Sequence, residues 1–584
     1  MAERTTWIID RTEAIARGGM VAAKQPAAAT AGAEVLRKGG NAFDAAVTTA
    51  FAVGVAEPWM SGLGGGGYLI GLIPGQDPFV VEYPMVSPAT ATPAMFPLSG
   101  SGPDAALFGW PGVVDNANIV GYRSMAVPGV VAGLALTLER WGTISLADAL
   151  APAIRLAADG VPVTWHTTLK IAQDMTALRR FLASAAVFFD DDGAPLISLD
   201  QARPAMLRQP DLARTLETIA REGARAFYEG SIADALVRDL AANGAPFTRD
   251  DFARYEPSVA PTLTTDYAGH TIHAVGGGTG GTTIVESLNL MSALGAGAFP
   301  HNSADAIHRM TFAFRQAFAD RFAYLADPRR VDVPLATLTD PAYAAERAAA
   351  FAPDRVVPIH PGDAGRLGVQ HGLGASMQSY LDAAASGAQM ADGSTTHLCV
   401  IDAAGNAVSL TQTLLSLFGS KVIVPGTGVL MNNGMMWFDP EPGRPNSIEG
   451  GKRPVANMAP IMVSRDGQAV ASIGSSGGRK ILNCHAQLLA NLLDYGLSMQ
   501  PAISAPRIDA STPSLLADSR IAPATLAGLR RRGHPVAVRD EDLLTIDFAS
   551  PVGIRRDPDG TLRAGVDQYY FPATAVGADG GSRG

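Results

Sequence analysis

The sequence predicts a mixed α/β protein with buried helices and buried strands, on three observations. Residues 41–55 carry small and apolar side chains on nearly every face, as a helix enclosed on all sides does. Residues 396–401 and 406–413 read as strands joined by Asp402-Ala403-Ala404-Gly405, a hairpin-like turn. From there to the end, strand, glycine loop and helix alternate.

The remaining elements follow in order. Apolar residues recur at helical spacing over 27–37, and Gly39-Gly40 ends that helix. After the buried helix comes the glycine-rich stretch 61–67, then a strand over 68–72. Residues 123–142 read as a strand end leading into a helix, and 146–254 as mostly helical with charged outer faces. A second glycine run, 276–281, precedes a helix beginning near Thr283, and helices continue over 304–326 and 341–352. The segment 372–394 is polar, small-residued and aperiodic, so it is expected to be exposed and mobile.

Composition narrows the function. The 584 residues are 47% hydrophobic and 17% charged, which excludes wholesale disorder. A net charge of −10 with no basic stripe argues against nucleic acid and against a basic membrane-binding surface. No run of eighteen apolar residues and no leader-like start is present, so a cytoplasmic protein without a membrane span is expected. The two cysteines, Cys399 and Cys484, lack zinc-ligand spacing, and one disulfide between them is an open alternative. His397 and His485 are not spaced as metal ligands, and His397 is read as structural. Gly64–Gly67 is not followed by the Lys-Ser/Thr of a phosphate loop. No metal or cofactor is expected.

Chemistry concentrates at Gly393-Ser394-Thr395-Thr396-His397-Leu398, where the aperiodic segment meets a strand. A threonine placed there can attack the carbonyl before it, shift the acyl group to oxygen and be freed as an N-terminal residue. Its amine, titrating near about 7.7–8.0 in model peptides, is then a base beside its own nucleophilic hydroxyl. By itself the segment means little, since a Thr-Thr-His there is far more often an ordinary strand start.

The stretch TTHLCVIDAAGNAVSLTQTLLSLFGS, 395–420, resembles the small-subunit start of the γ-glutamyltranspeptidase family. The block at 19–71 resembles the family too, as do MAVPGVVAGLAL at 125–136, FADRFAYLADP at 318–328, LMNNGM at 430–435, GKRPVANMAP at 451–460 and GSSGGRKI at 474–481, in the family's order. The resemblance implies a four-layer αββα sandwich of the N-terminal-nucleophile (Ntn) hydrolase class, formed by two subunits from one precursor. A large subunit would span 1–394, with a linker at about 372–394, and a small subunit 395–584. It implies cleavage between Ser394 and Thr395, Thr395 as nucleophile and base, and Thr413 as the threonine bonded to it. Gly477 and Gly478 match the glycines whose N–H groups form the oxyanion hole, and nothing on a glycine shields its amide. The expected partners are a small-molecule amide and the second subunit, in a heterodimer that can pair again.

The departures fall on the groups that grip a γ-glutamyl substrate. Pro84 stands where the family has an arginine, Leu415 where it has an asparagine, Trp437 where an aspartate follows Asn432-Asn433, and Ala456-Asn457 where it has two serines. Each lost partner costs on the order of 1–3 kcal/mol. The expected acyl group is therefore not γ-glutamyl but oxamate-like or acylase-like, held by an apolar pocket with Leu415, Met436 and Trp437 as walls and Asn433 and Asn457 as polar members. Arg123 and Arg479 are candidates for a new carboxylate partner. A shorter connection over 438–451 suggests a more open pocket. Two rival readings are an active glutathione hydrolase with a rebuilt grip and a non-catalytic binding protein of the same fold.

Overall fold

The computed structural model describes residues 9–103, 110–200, 202–364, 393–544 and 546–579. Two seven-stranded sheets dominate it. The front sheet runs Thr574–Gly577, Gly19–Ala23, Gly393–Asp402, Ala407–Ser416, Gly66–Leu72, Phe79–Tyr83, Ser258–Pro261, all antiparallel. The back sheet runs Ala14–Ala16, Leu562–Val566, Ser550–Arg556, Gln468–Ser476, Ile461–Arg465, His270–Ala274, Leu263–Tyr267, again antiparallel.

Alternation along each strand builds the layers. Val21, Leu69, Leu398, Val400, Val408 and Leu410 turn outward from the front sheet onto the helices Pro26–Arg37, Ala42–Ala56 and Val130–Trp141. Met20, Ile70, Cys399 and Ile401 turn inward and meet Met462, Val552 and Ile554 of the back sheet. Ile272, Ile461, Val463 and Ile473 turn outward onto Gly280–Ala293, Ala304–Tyr324 and Lys480–Leu493. The result is helix, sheet, sheet, helix. Ala42–Ala56 is buried along its whole length, as its all-round apolar pattern requires. Asn41 caps it, accepting from Phe43 and Asp44 N–H, while Asp44 returns to the Asn41 N–H.

Several boundaries differ from the sequence reading. The second glycine run enters its helix at Gly280, three residues early, because the Thr279 side chain caps it by accepting from Gly281 N–H. Residues 122–124 form a 3-10 turn, and Val127 makes a single bridge to Val86 before the helix Val130–Trp141. The helix expected over 341–352 ends at Ala348. Of the segment expected to be exposed and mobile, 372–392 lies outside the described residues, and its last residue, Ser394, is buried in the strand Gly393–Asp402 rather than exposed. Cys399 and Cys484 are both buried and free, so the open disulfide alternative is not the one taken. Among the described residues no helix is long and apolar enough to cross a membrane, and no group of three or more metal-ligating side chains assembles.

Candidate active site

One irregularity in the front sheet sets the site. The strands Gly393–Asp402 and Ala407–Ser416 pair from Ile401↔Ala407 to Thr396↔Gln412, then slip so that Ser394 faces Leu415. Thr395 alone spans what Thr413 and Leu414 span on the neighbouring strand, and such a bulge re-aims side chains. Thr395 Oγ1 lies 2.7 Å from Ser394 O and 3.3 Å from Thr413 Oγ1, so its one proton has two acceptors within reach. Thr413 Oγ1 accepts the Leu415 N–H at 2.8 Å and donates to the Ser394 carbonyl. The N–H occupies a lone pair of Thr413, which leaves the hydroxyl proton aimed at that carbonyl.

The backbone pays attention to this arrangement as well: Leu415 has φ +93°, a conformation leucine rarely adopts. Asn433 holds the chain there, accepting from Ser416 N–H at 3.1 Å and donating to Ser416 Oγ at 2.7 Å and Ile119 O at 2.9 Å. Asn433 thus braces the strand end rather than offering its amide to a pocket. Asn432 does the same one residue earlier, joining Gly64 and Ala126 through their backbones.

The glycine pair lies at the same end of the sandwich. Ser472 Oγ donates to Val408 O at 2.8 Å, Ser409 Oγ donates to Ile473 O at 3.0 Å, and the ring of His397, which pairs with Thr411, covers Gly474. The two central strands therefore advance together, and Gly477 and Gly478 follow towards the Thr395–Thr413 level. Their φ values are +132° and +60°, and a Cβ on Gly477 would fall 2.8 Å from Ala549 Cα. Glycine is required there on both counts. His397 bonds Thr411 Oγ1 at 2.8 Å, and burial holds its pKa well below the usual histidine value, so it is a neutral structural ring.

The chain as a whole is similar to known proteins. The family model for γ-glutamyltranspeptidase matches residues 28–570. The acylase ACY 1 proenzyme of Pseudomonas sp. (strain V22) is 36% identical over 96% of this chain and 94% of its own length. The chain belongs to the γ-glutamyltranspeptidase family. It is accordingly an enzyme of the Ntn amidohydrolase and acyltransferase type, with that class's sandwich fold. The glutathione hydrolase proenzyme of Escherichia coli (strain K12) is 31% identical over 94% of this chain and 90% of its own length. The cephalosporin acylase of Bacillus halodurans superimposes with a TM-score of 0.83 at 26% identity, covering 99% of both chains.

Leu415, Met436, Trp437 and Ala456 all belong to the hydrophobic core cluster that also holds Met85, Trp59 and Met60. Met85, next to Pro84, abuts Gly66, the residue paired with Thr413. The expected openness is absent: Leu415, Met436 and Trp437 are 3–4% exposed. The connection over 438–451 is tied down instead, Asn446 donating to Trp437 O at 2.7 Å and Lys452 Nζ to Pro445 O at 2.7 Å. Arg123 lies at the surface, while Arg479 is buried at the start of Lys480–Leu493.

The sequence reading missed the turn that follows the buried helix. Ser394 Oγ donates to Trp59 O at 2.5 Å, and Leu414 N–H donates to Met60 O at 3.0 Å, so the turn grips both strands beside the Ser394–Thr395 bond. Glu57, at the C-terminus of Ala42–Ala56, accepts from Tyr570 OH, which in turn accepts from Trp59 Nε1 at 3.0 Å. Burial pushes its pKa up to about 7 against the hydrogen bond from Tyr570 and the nearby Thr396 hydroxyl, which makes no aligned bond with it. Lys24, buried and bonded to Ser550, is brought down to about 8, again by burial first. An acid closing an otherwise apolar helix, and a lysine closing an apolar strand, were the available clues.

Proposed function

We propose that this chain is a self-processing amidohydrolase that breaks its own Ser394–Thr395 bond and then cleaves amides of acyl groups other than γ-glutamyl through Thr395. The observation that carries the reading is the Ser394 carbonyl, buried in the bulge with the hydroxyls of Thr395 and Thr413 both upon it. Attack of Thr395 Oγ1 on that carbonyl carbon forms a C–O bond, with the Thr413 hydroxyl steadying the oxyanion. Collapse breaks the C–N bond as the Thr395 nitrogen takes up the proton the hydroxyl lost. Water then hydrolyses the ester, leaving a carboxylate on Ser394 and an amine on Thr395.

In the processed enzyme the same hydroxyl attacks a small-molecule amide. The new amine, of a kind that titrates at about 7.7–8.0 in model peptides, takes the proton and passes it to the leaving amine. The N–H groups of Gly477 and Gly478 receive the oxyanion, and water or an amine discharges the acyl-enzyme. Two fragments, 1–394 and 395–584, remain together as a heterodimer.

The apolar cluster around Leu415, Met436 and Trp437 supports an acyl group other than γ-glutamyl, because a buried ammonium and carboxylate would find few partners there. The higher identity to an acylase, 36%, than to the Escherichia coli glutathione hydrolase, 31%, supports it too. Intact masses of the purified protein and of Thr395→Ala test the processing step. Fragments that end at Ser394 and begin at Thr395, with an uncut variant, are expected; a single uncut chain in both would overturn it. Ordinary turnover of a γ-glutamyl anilide would overturn the acyl specificity alone.

A further inference from the structure

The turn after the buried helix is closed by a residue from the far end of the chain. Trp59 is 1% exposed, so its indole N–H needs an acceptor, and Tyr570 OH supplies one at 3.0 Å. An indole N–H only donates, which sends the single proton of the Tyr570 hydroxyl the other way, to the carboxyl of Glu57. Within the turn itself, Met60 N–H donates to Glu57 O at 2.9 Å. The Tyr570 ring is fixed in its turn: Lys24 Nζ lies 4.8 Å from its centroid, and the His166 ring meets it in a T-shaped contact at 4.8 Å.

The carbonyls of this turn hold both strands at the bulge. Trp59 O accepts from Ser394 Oγ at 2.5 Å and from Phe418 N–H at 3.0 Å, and Met60 O accepts from Leu414 N–H at 3.0 Å. Ser394 carries the carbonyl of the Ser394–Thr395 bond, and Leu414 follows Thr413, whose hydroxyl donates to that carbonyl. The 2.7 Å between Thr395 Oγ1 and Ser394 O therefore depends on two strands that the same two peptide carbonyls hold in place. A turn free to shift would move Ser394 against Thr413, and a misplacement of about 1 Å costs on the order of 10²-fold in rate.

We propose that Tyr570 is a positioning residue for self-cleavage: its hydroxyl locks the turn from Glu57 to Met60, and the turn holds the Ser394 carbonyl against the hydroxyls of Thr395 and Thr413. This rests on the reading of Ser394–Thr395 as the self-cleaved bond. Tyr570 bonds none of the reacting atoms and acts through Trp59. Its loss is therefore expected to slow the step without removing any of its chemistry.

The test follows fragment appearance after cell-free synthesis of the full chain, well below its melting temperature. The wild type is compared with Tyr570→Phe, Trp59→Phe, the double variant and Tyr267→Phe. The last is a control: the Tyr267 hydroxyl donates to Asp494 at 2.5 Å on the outermost strand of the back sheet, so a comparable buried bond is lost elsewhere. Tyr570→Phe keeps the ring and is expected to slow cleavage about tenfold. Trp59→Phe is expected to slow it similarly, and the double variant no more than the slower single one, because both break one link. Tyr267→Phe is expected to lower the melting temperature as Tyr570→Phe does, read on the uncut Thr395→Ala background, yet to be cut at the wild-type rate. The proposal is overturned if Tyr570→Phe is cut at the wild-type rate, if Tyr267→Phe is slowed as much, or if the two single effects multiply in the double variant. Should Tyr570→Phe fail to fold, Trp59→Phe against Tyr267→Phe decides by the same criteria. A wild type that is never cut would overturn the self-cleavage reading and this one together, whereas a cut wild type with an unslowed Tyr570→Phe would overturn this one alone.

Discussion

Two regions meet at the Ser394–Thr395 bond, and they are made of opposite materials. On one side lie hydroxyls, carbonyls and N–H groups: Thr395, Thr413, Ser394 O and the Leu415 N–H, each bonded to another. On the other lie Leu415, Met436, Trp437, Met85 and Ala456, which bring apolar surface and no charge. The first region can stabilise charge that develops on an oxygen. The second can only sort the group attached to it. The difference teaches that, under the proposed function, bond breaking and acyl selection would occupy separate parts of this fold, so one could change while the other is kept.

The comparison can be broken from the polar side with the largest effect. Thr395→Ala is expected to abolish self-cleavage and amide hydrolysis, read by intact mass and turnover. Thr413→Val keeps the shape and removes the proton aimed at the Ser394 carbonyl. Self-cleavage should slow by about 10²–10³-fold, followed as fragment appearance over time, and stability should fall by about 1–3 kcal/mol for the partners left unbonded. Gly477→Ala places a Cβ 2.8 Å from Ala549 Cα at φ +132°. It should cost roughly 1–3 kcal/mol of strain, visible in the melting temperature, and lower kcat by displacing a donor.

Smaller effects sharpen it. Glu57 has a pKa raised from an ordinary 4.5 to about 7, so the folded state holds its proton more tightly than the unfolded state does. Its contribution to stability is full below pH 4.5 and is lost as pH rises through about 7. Glu57→Gln should therefore flatten the decline in melting temperature over that interval. On the apolar side, Leu415→Asn should lower stability by about 1–3 kcal/mol, because an amide buried in that cluster lacks partners, a cost larger than the relief of a positive φ that asparagine tolerates better than leucine. It should confer no γ-glutamyl hydrolysis, since Pro84, Trp437 and Ala456 are unchanged. Strong γ-glutamyl turnover in that single variant would show that the two regions are not independent.

What the sequence discloses follows from distance along the chain. The buried helix and the hairpin are legible because their periodicity is local, and the family motifs carry Thr395, Thr413 and the glycine pair. The bulge is not legible, since one extra residue leaves no mark on alternation. The Gly280 helix start was hidden in a run of glycines that any loop could contain. Asn433 looked like a pocket member from its motif, yet its partners Ile119 and Ser416 are set by tertiary packing. Trp59 and Tyr570 are 511 residues apart, and neither points to the other until the front sheet is assembled.

The strand order has one more consequence. Taking the break at Thr395, ownership of the front sheet passes between the two pieces three times and that of the back sheet twice. Neither piece possesses the whole of either seven-stranded sheet. Scission would thus leave a molecule that size-exclusion cannot tell from its parent, and that comes apart only as it melts. Each piece would be the other's template, so separately produced halves would have to meet before either could become a folded object.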